Sequence, residues 1–123
     1  MPELLYTYYV YILSNKHRTT FYIGVTNDIR RRILEHKAGV GSVFTKRYNL
    51  NDLLYSEDYD FIQQAIAREK QLKNWKREWK LKLIRDINPE MKDGAADWFS
   101  EEEIRNFRAE RLRGDSDFRQ NDN

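Results

Sequence analysis

The sequence predicts an α+β fold, and three observations carry that prediction. Two aromatic and β-branched runs, LLYTYYVYIL (4–13) and TFYIGV (20–25), are joined by the polar segment SNKHRTT. A third short apolar run, LLYSE (53–57), is followed by two segments whose apolar residues recur every three or four positions. Capping and turn residues separate these pieces into the order β-β-α-β-α-α, with a further helical appendix.

The first run has apolar or aromatic residues on both alternating faces, as expected of a central strand covered on both sides. With the second it forms a hairpin. Asn27 or Thr26 caps the next helix, and Asp28 sits near its positive end. That helix runs to about Lys37 and stops at Gly39. The basic stretch AGVGSVFTKRYNLN is read as irregular, and its GVG is too short to be a phosphate-cradling fingerprint. Asp58 or Asp60 opens a helix over FIQQAIAREKQLKN, and another follows in KREWKLKLIRDI. It ends at Asn88, because the residue before Pro89 is pushed out of helical geometry. Ser100 with Glu103 makes a capping box for a last helix to about Arg113. The expected organisation is a body over 1–95, a helical appendix over 96–113 and a disordered polar tail over 114–123.

At 123 residues the chain suits a single core. It has no cysteine, which excludes disulfides and thiolate metal sites and makes the reducing cytoplasm the default location. With only His17 and His36, any metal is held by oxygen, which points to Mg²⁺ or Mn²⁺. No run is long enough for a membrane span. The net charge of +2 conceals an asymmetry. Residues 1–85 carry 16 Lys and Arg against 9 Asp and Glu, and residues 86–123 carry 6 against 11. A basic body suggests a polyanionic ligand, although charge also serves plain solubility.

Glu69 falls within a stripe formed by Ile62, Ala65, Ile66 and Leu72, where a carboxylate is costly unless paired or bound to a cation. An ordinary ion pair explains it as well as a site does. Arg32 borders the apolar face marked by Ile29 and Ile33, and His36 follows one turn later. Arg32 is expected to be the charge partner of Glu69. Arg30 and Arg31 point outward, free for phosphates or simply solvated; His36 also suits a helix-end cation. Residues 68–85 carry eight basic side chains with Trp75 and Trp79 interleaved, a credible backbone-binding face on which at least one tryptophan belongs to the core. The expected nucleic-acid contacts are Arg30, Arg31, Lys37, Lys46, Arg47, Lys73, Lys76 and Arg77.

YVY (9–11), YIG (22–24), IRRRILEH (29–36) and AIAREKQLKNW (65–75) together resemble a GIY-YIG nuclease domain over residues 6 to about 90. The likeness is strongest to small stand-alone bacterial members, whose tails are similar to KLKLIRDINPEMKD (80–93). It implies a three-stranded antiparallel sheet flanked by helices and a magnesium-assisted phosphodiester hydrolase acting on nucleic acid, DNA first. By motif position Tyr11 and Tyr22 are the two motif tyrosines, Arg32 the family arginine, His36 the helix histidine and Glu69 the metal-binding carboxylate. Asn88 matches a late supporting asparagine. Tyr9 replaces the leading glycine of the first motif, and Phe44 stands where relatives commonly have tyrosine. The competing class is a nucleic-acid-binding module that keeps the scaffold without cutting.

Overall fold

A computed structural model describes the backbone of residues 6–122 and the side chains of residues 6–114. Leu4 and Leu5, part of the expected first strand, lie outside it, as does Asn123. Three strands, β1 (Tyr8–Ser14), β2 (Phe21–Thr26) and β3 (Asp52–Tyr59), form one antiparallel sheet in the order β2-β1-β3. β1 is central, as its two-sided apolar pattern requires. Val10 and Ile12 enter one core and Tyr11 and Leu13 the other. The β1–β3 pairing slips by one residue between Ile12 and Leu13, so Leu54 and its neighbour Tyr55 both join the Val10 side.

Helix α1 (Ile29–Lys37) covers the Tyr11 face through Ile33 and Ile29. Its N-cap is Asp28, whose carboxylate accepts the Arg31 amide at 3.1 Å, in place of the expected Asn27 or Thr26. Thr26 instead accepts the Asp28 amide at 3.0 Å and so braces the cap. Beyond Ala38 the chain turns through Gly39 at φ +77°, a left-handed position that suits glycine. The stretch expected to be irregular contains a short helix, α2 (Val43–Arg47). Ser42 caps it by accepting the Thr45 amide at 3.1 Å.

The opposite face is covered by α3 (Ile62–Asn74) and α4 (Arg77–Ile87), which send Ala65, Leu72 and Ile84 into the core. Neither Asp58 nor Asp60 caps α3. The cap is Phe61, which makes no side-chain cap bond, because β3 runs on to Tyr59. Trp75 packs on this core while Trp79 is half-exposed. Asn88 ends α4 as predicted. It also donates to the carbonyls of Leu54 at 3.1 Å and Lys92 at 2.8 Å, tying the helix end to β3.

The last helix, α5 (Glu101–Asp122), begins with the predicted capping box, in which Ser100 and Glu103 bond each other's amides at 2.9 and 3.0 Å. It runs past Arg113, where a disordered tail was expected. Gly114 does not take a left-handed φ and the helix passes through it. α5 packs back on α1. Arg108 donates to the Ala38 carbonyl at 2.7 Å, and Arg30 donates to the Trp98 carbonyl at 2.8 Å. No helix among the described residues is long and apolar enough to cross a membrane.

Candidate active site

The Tyr11 face of the sheet gathers four of the residues singled out in the sequence. Tyr11 lies on the central strand, with its side chain directed at α1 rather than at solvent, and both Tyr11 and His36 are 1% exposed. The Tyr11 hydroxyl is 3.0 Å from His36 Nε2, and His36 Nδ1 is 3.0 Å from Thr45 Oγ1. Tyr22, half-buried on β2, packs its ring 6.3 Å from Tyr11 and 5.7 Å from His36. Phe44 lies 6.2 Å from Tyr22 and 4.8 Å from Tyr48, extending the aromatic row towards solvent.

Two glycines make this packing achievable. Gly24 is the cross-strand partner of Tyr11, and a Cβ there would lie 2.4 Å from the Tyr11 hydroxyl oxygen. A Cβ at Gly41 would lie 2.3 Å from His36 Nδ1. The YIG glycine therefore gives room to the first motif tyrosine. GVG has a comparable local role: Gly41 clears the histidine and Gly39 makes the turn.

Electrostatics set the protonation of the cluster. Burial, with the Arg32 cation adding to it, pushes His36 down to about 4. His36 is thus neutral near pH 7, with one ring nitrogen donating and the other accepting between Tyr11 and Thr45. Burial pushes the Tyr11 hydroxyl up to about 12 against the opposing pull of the Arg32 guanidinium. Burial also works against the Arg32 charge, but the Glu35 carboxylate and Tyr11 more than offset it, so Arg32 remains cationic.

Arg32 does not pair with Glu69. It donates to Glu35 Oε1 at 2.6 Å, three residues along the same helix, where α-helical geometry makes them neighbours. Glu35 is 8% exposed, and Arg31 and Arg111 approach its other oxygen at 3.5 and 3.2 Å. Burial raises its proton affinity, but the Arg32 and Arg111 guanidinia hold it below the ordinary carboxylate value. Glu35, Thr45 and Arg111 were missed in the sequence. The i,i+3 spacing from Arg32 marks Glu35; nothing local marks Thr45 or Arg111.

Glu69 belongs to α3 and pairs with Lys73 at 3.1 Å, with 21% of its side chain exposed. The stripe around it is less buried than its spacing suggests, since Ile62 is 42% and Ile66 39% exposed. No cluster of three or more His, Asp or Glu suited to a metal occurs among the described residues. A lone, partly exposed carboxylate does fit Mg²⁺, which keeps most of its waters and takes one or two carboxylates plus substrate phosphate.

Several expected phosphate contacts are engaged within the protein. Arg30 lies over the Phe99 ring at 4.6 Å and Arg31 over Phe107 at 5.7 Å. Lys37 is largely buried, bonded to Asp93 at 2.7 Å and to the Asn51 carbonyl at 3.0 Å. Arg77 donates to the carbonyls of Arg18 and Thr19 and covers Phe21, yet stays exposed, as do Lys46, Arg47, Lys73 and Lys76. The bonds Asn88 makes hold α4 to β3, an architectural role.

The sheet and the aromatic–histidine–arginine cluster lie within the stretch matched by a nuclease-type family model. The chain belongs to the GIY-YIG catalytic domain family, which matches residues 7–82 and whose members act on nucleic acid. A UPF0213 protein of Staphylococcus saprophyticus is 38% identical over 77 residues, covering 63% of this chain and 93% of that one. A UPF0213 protein of the archaeon Natronomonas pharaonis is 35% identical over 79 residues, covering 64% and 92%. The solution NMR structure of a UPF0213 protein from Bacillus halodurans is 27% identical with a TM-score of 0.47, covering 74% of this chain and 97% of that one. Trp98, Phe99 and α5 lie beyond the family match.

Proposed function

We propose that this protein is a metal-dependent endonuclease hydrolysing phosphodiester bonds in nucleic acid, with DNA the favoured substrate and the cytoplasm its compartment. The observation that carries this reading is the buried Tyr11–His36 pair under half-exposed Tyr22, with the Arg32 cation beside it. Pure binding has no need of a hydrogen-bonded tyrosine–histidine pair buried behind a partly exposed tyrosine and arginine.

Arg32, 28% exposed at its side chain, is available to neutralise charge building on the phosphoryl oxygens. In this reading Tyr22, half-buried at the edge of the cluster, accepts the proton of an attacking water. Tyr11, held protonated, and neutral His36 fix the ring beside them and need not touch substrate. Glu69 would hold Mg²⁺ or Mn²⁺, replacing the exposed Lys73 as its counter-ion; bound there, the ion supplies Lewis-acid stabilisation of phosphoryl and leaving oxygens. Lys46, Arg47, Lys73, Lys76 and Arg77 are the exposed cations suited to the nucleic-acid backbone.

The test is cleavage of a panel of labelled DNA and RNA structures with Mg²⁺ or Mn²⁺ by wild type, Glu69→Ala and Arg32→Ala. Wild type is expected to cut and both variants to lose at least about 100-fold in rate. Binding by all three with no cutting under either metal would replace this reading with a non-cutting nucleic-acid-binding module.

A further inference from the structure

Among the described charges, the buried carboxylate of Glu35 stands apart because its two oxygens serve different parts of the molecule. Oε1 receives Arg32 Nη1 at 2.6 Å; Oε2 receives Arg111 Nη1 at 3.2 Å, from a helix outside the family match. Arg31 also reaches Oε2, at 3.5 Å, but its side chain is 61% exposed against 36% for Arg111. From these contacts we infer that Glu35 and Arg111 are positioning residues, through which α5 sets the guanidinium of Arg32 for the reaction proposed above.

The anchoring of α5 supports this. Arg108 bonds the last turn of α1 at the Ala38 carbonyl, one helical turn before Arg111. Arg30 and Arg31, at the start of α1, are spent on Trp98, Phe99 and Phe107. The first and last turns of α1 are thus both fastened to the C-terminal segment, and Arg111 is delivered to Glu35 between them. Held at 2.6 Å by a buried carboxylate that is itself held from behind, Arg32 loses side-chain freedom before substrate arrives. A long arginine gives up rotamer freedom when it is held, so orientation fixed in advance favours the chemical step over binding.

This inference rests on the nuclease reading, so its test includes a measurement that needs no cleavage. Arg111→Met, Arg111→Lys, Glu35→Gln and the Glu35→Gln/Arg111→Met pair are made in the full chain, with exposed Arg105→Ala as control. Single-turnover rate and KM are measured, and the hydrogen exchange of the Arg32 Nε–H group is followed by NMR. Arg111→Met is expected to lower the rate about 10-fold with KM within about twofold, and to speed Arg32 exchange. Arg111→Lys restores most of the rate. The double variant cuts no more slowly than Glu35→Gln alone, because Arg111 acts through that carboxylate. An Arg111→Met protein with wild-type rate and wild-type Arg32 exchange overturns the inference, as does full additivity in the double variant. If wild type cuts nothing, the function reading falls, and the exchange measurement still decides whether Arg111 positions Arg32.

Discussion

Glu35 and Glu57 sit on opposite faces of the sheet, each gripped by arginine, and they differ in what the arginine has left to offer. Glu57 accepts the hydroxyls of Tyr55 and Tyr59 and takes two bonds from Arg68, at 2.8 and 3.2 Å. Arg68 spends its remaining reach on Gln71 at 2.7 Å and on the face of Trp75 at 5.0 Å. The partners in that cluster are occupied by one another, and it fastens β3 to α3. Glu35 binds Arg32 through a single close bond, and Arg32 keeps donors free. A carboxylate can therefore close an arginine off or merely aim it, and the number of bonds taken tells which.

The largest effects separate these two arginines. Arg32→Ala should cut activity about 10²–10³-fold with a small loss of stability, because Arg31 and Arg111 still hold Glu35. Arg68→Ala should do the reverse. Its loss leaves a half-buried charge on Glu57 and costs roughly 2–3 kcal/mol, less than for a fully buried pair because Arg68 is 21% exposed, while folded protein keeps its rate. Urea melts beside single-turnover assays measure both. Equal activity losses for the two would erase the distinction.

Acid should act on the Tyr11 face first. His36 titrates near about 4 when folded and about 6.5 when unfolded, so between those values the unfolded chain binds more protons. Stability therefore falls as pH drops from about 6.5 to about 4, by up to about 3 kcal/mol. Glu35 and Glu57, both held below the ordinary carboxylate value, add their losses only below about pH 4.5. Urea melts from pH 7 to 4 should show this slope in wild type and not in His36→Gln; an unchanged slope in the variant would assign it elsewhere.

Smaller effects are expected at the glycines. Gly24→Ala and Gly41→Ala press on Tyr11 and His36, which have no room to retreat, and each should cost about 1–3 kcal/mol. Gly94→Ala meets only the Leu53 carbonyl at 3.5 Å and should stay within about 0.5 kcal/mol in the same melts.

Much of the fold was legible because its causes are local. The two-sided pattern of residues 8–14 makes β1 central, Pro89 stops α4, and Ser100 with Glu103 starts α5. The Tyr11, Tyr22, Arg32 and His36 positions were legible through motif spacing, and the structure brings all four together. Charge pairing was not. Arg32 took the acid three residues away instead of Glu69, and Arg30, Arg31 and Lys37 found partners on Trp98, Phe99, Phe107 and Asp93, far along the chain. Helical spacing tells which way a cation leaves its helix; it does not tell what tertiary packing brings to meet it. Helix α2 was hidden for a related reason, since five residues are too few to show a period.

The bond between Arg111 and Glu35 spans 76 residues of chain, and that separation has a consequence during synthesis. At about 5–20 residues per second, a ribosome produces Arg111 about 4–15 s after Glu35. Within that interval β3 and the helices after it are made, and until Arg111 follows, Glu35 has only the two arginines of its own helix as ion-pair partners. The residues of the sheet and of α1 are thus all made before the arginine that reaches Glu35 from α5.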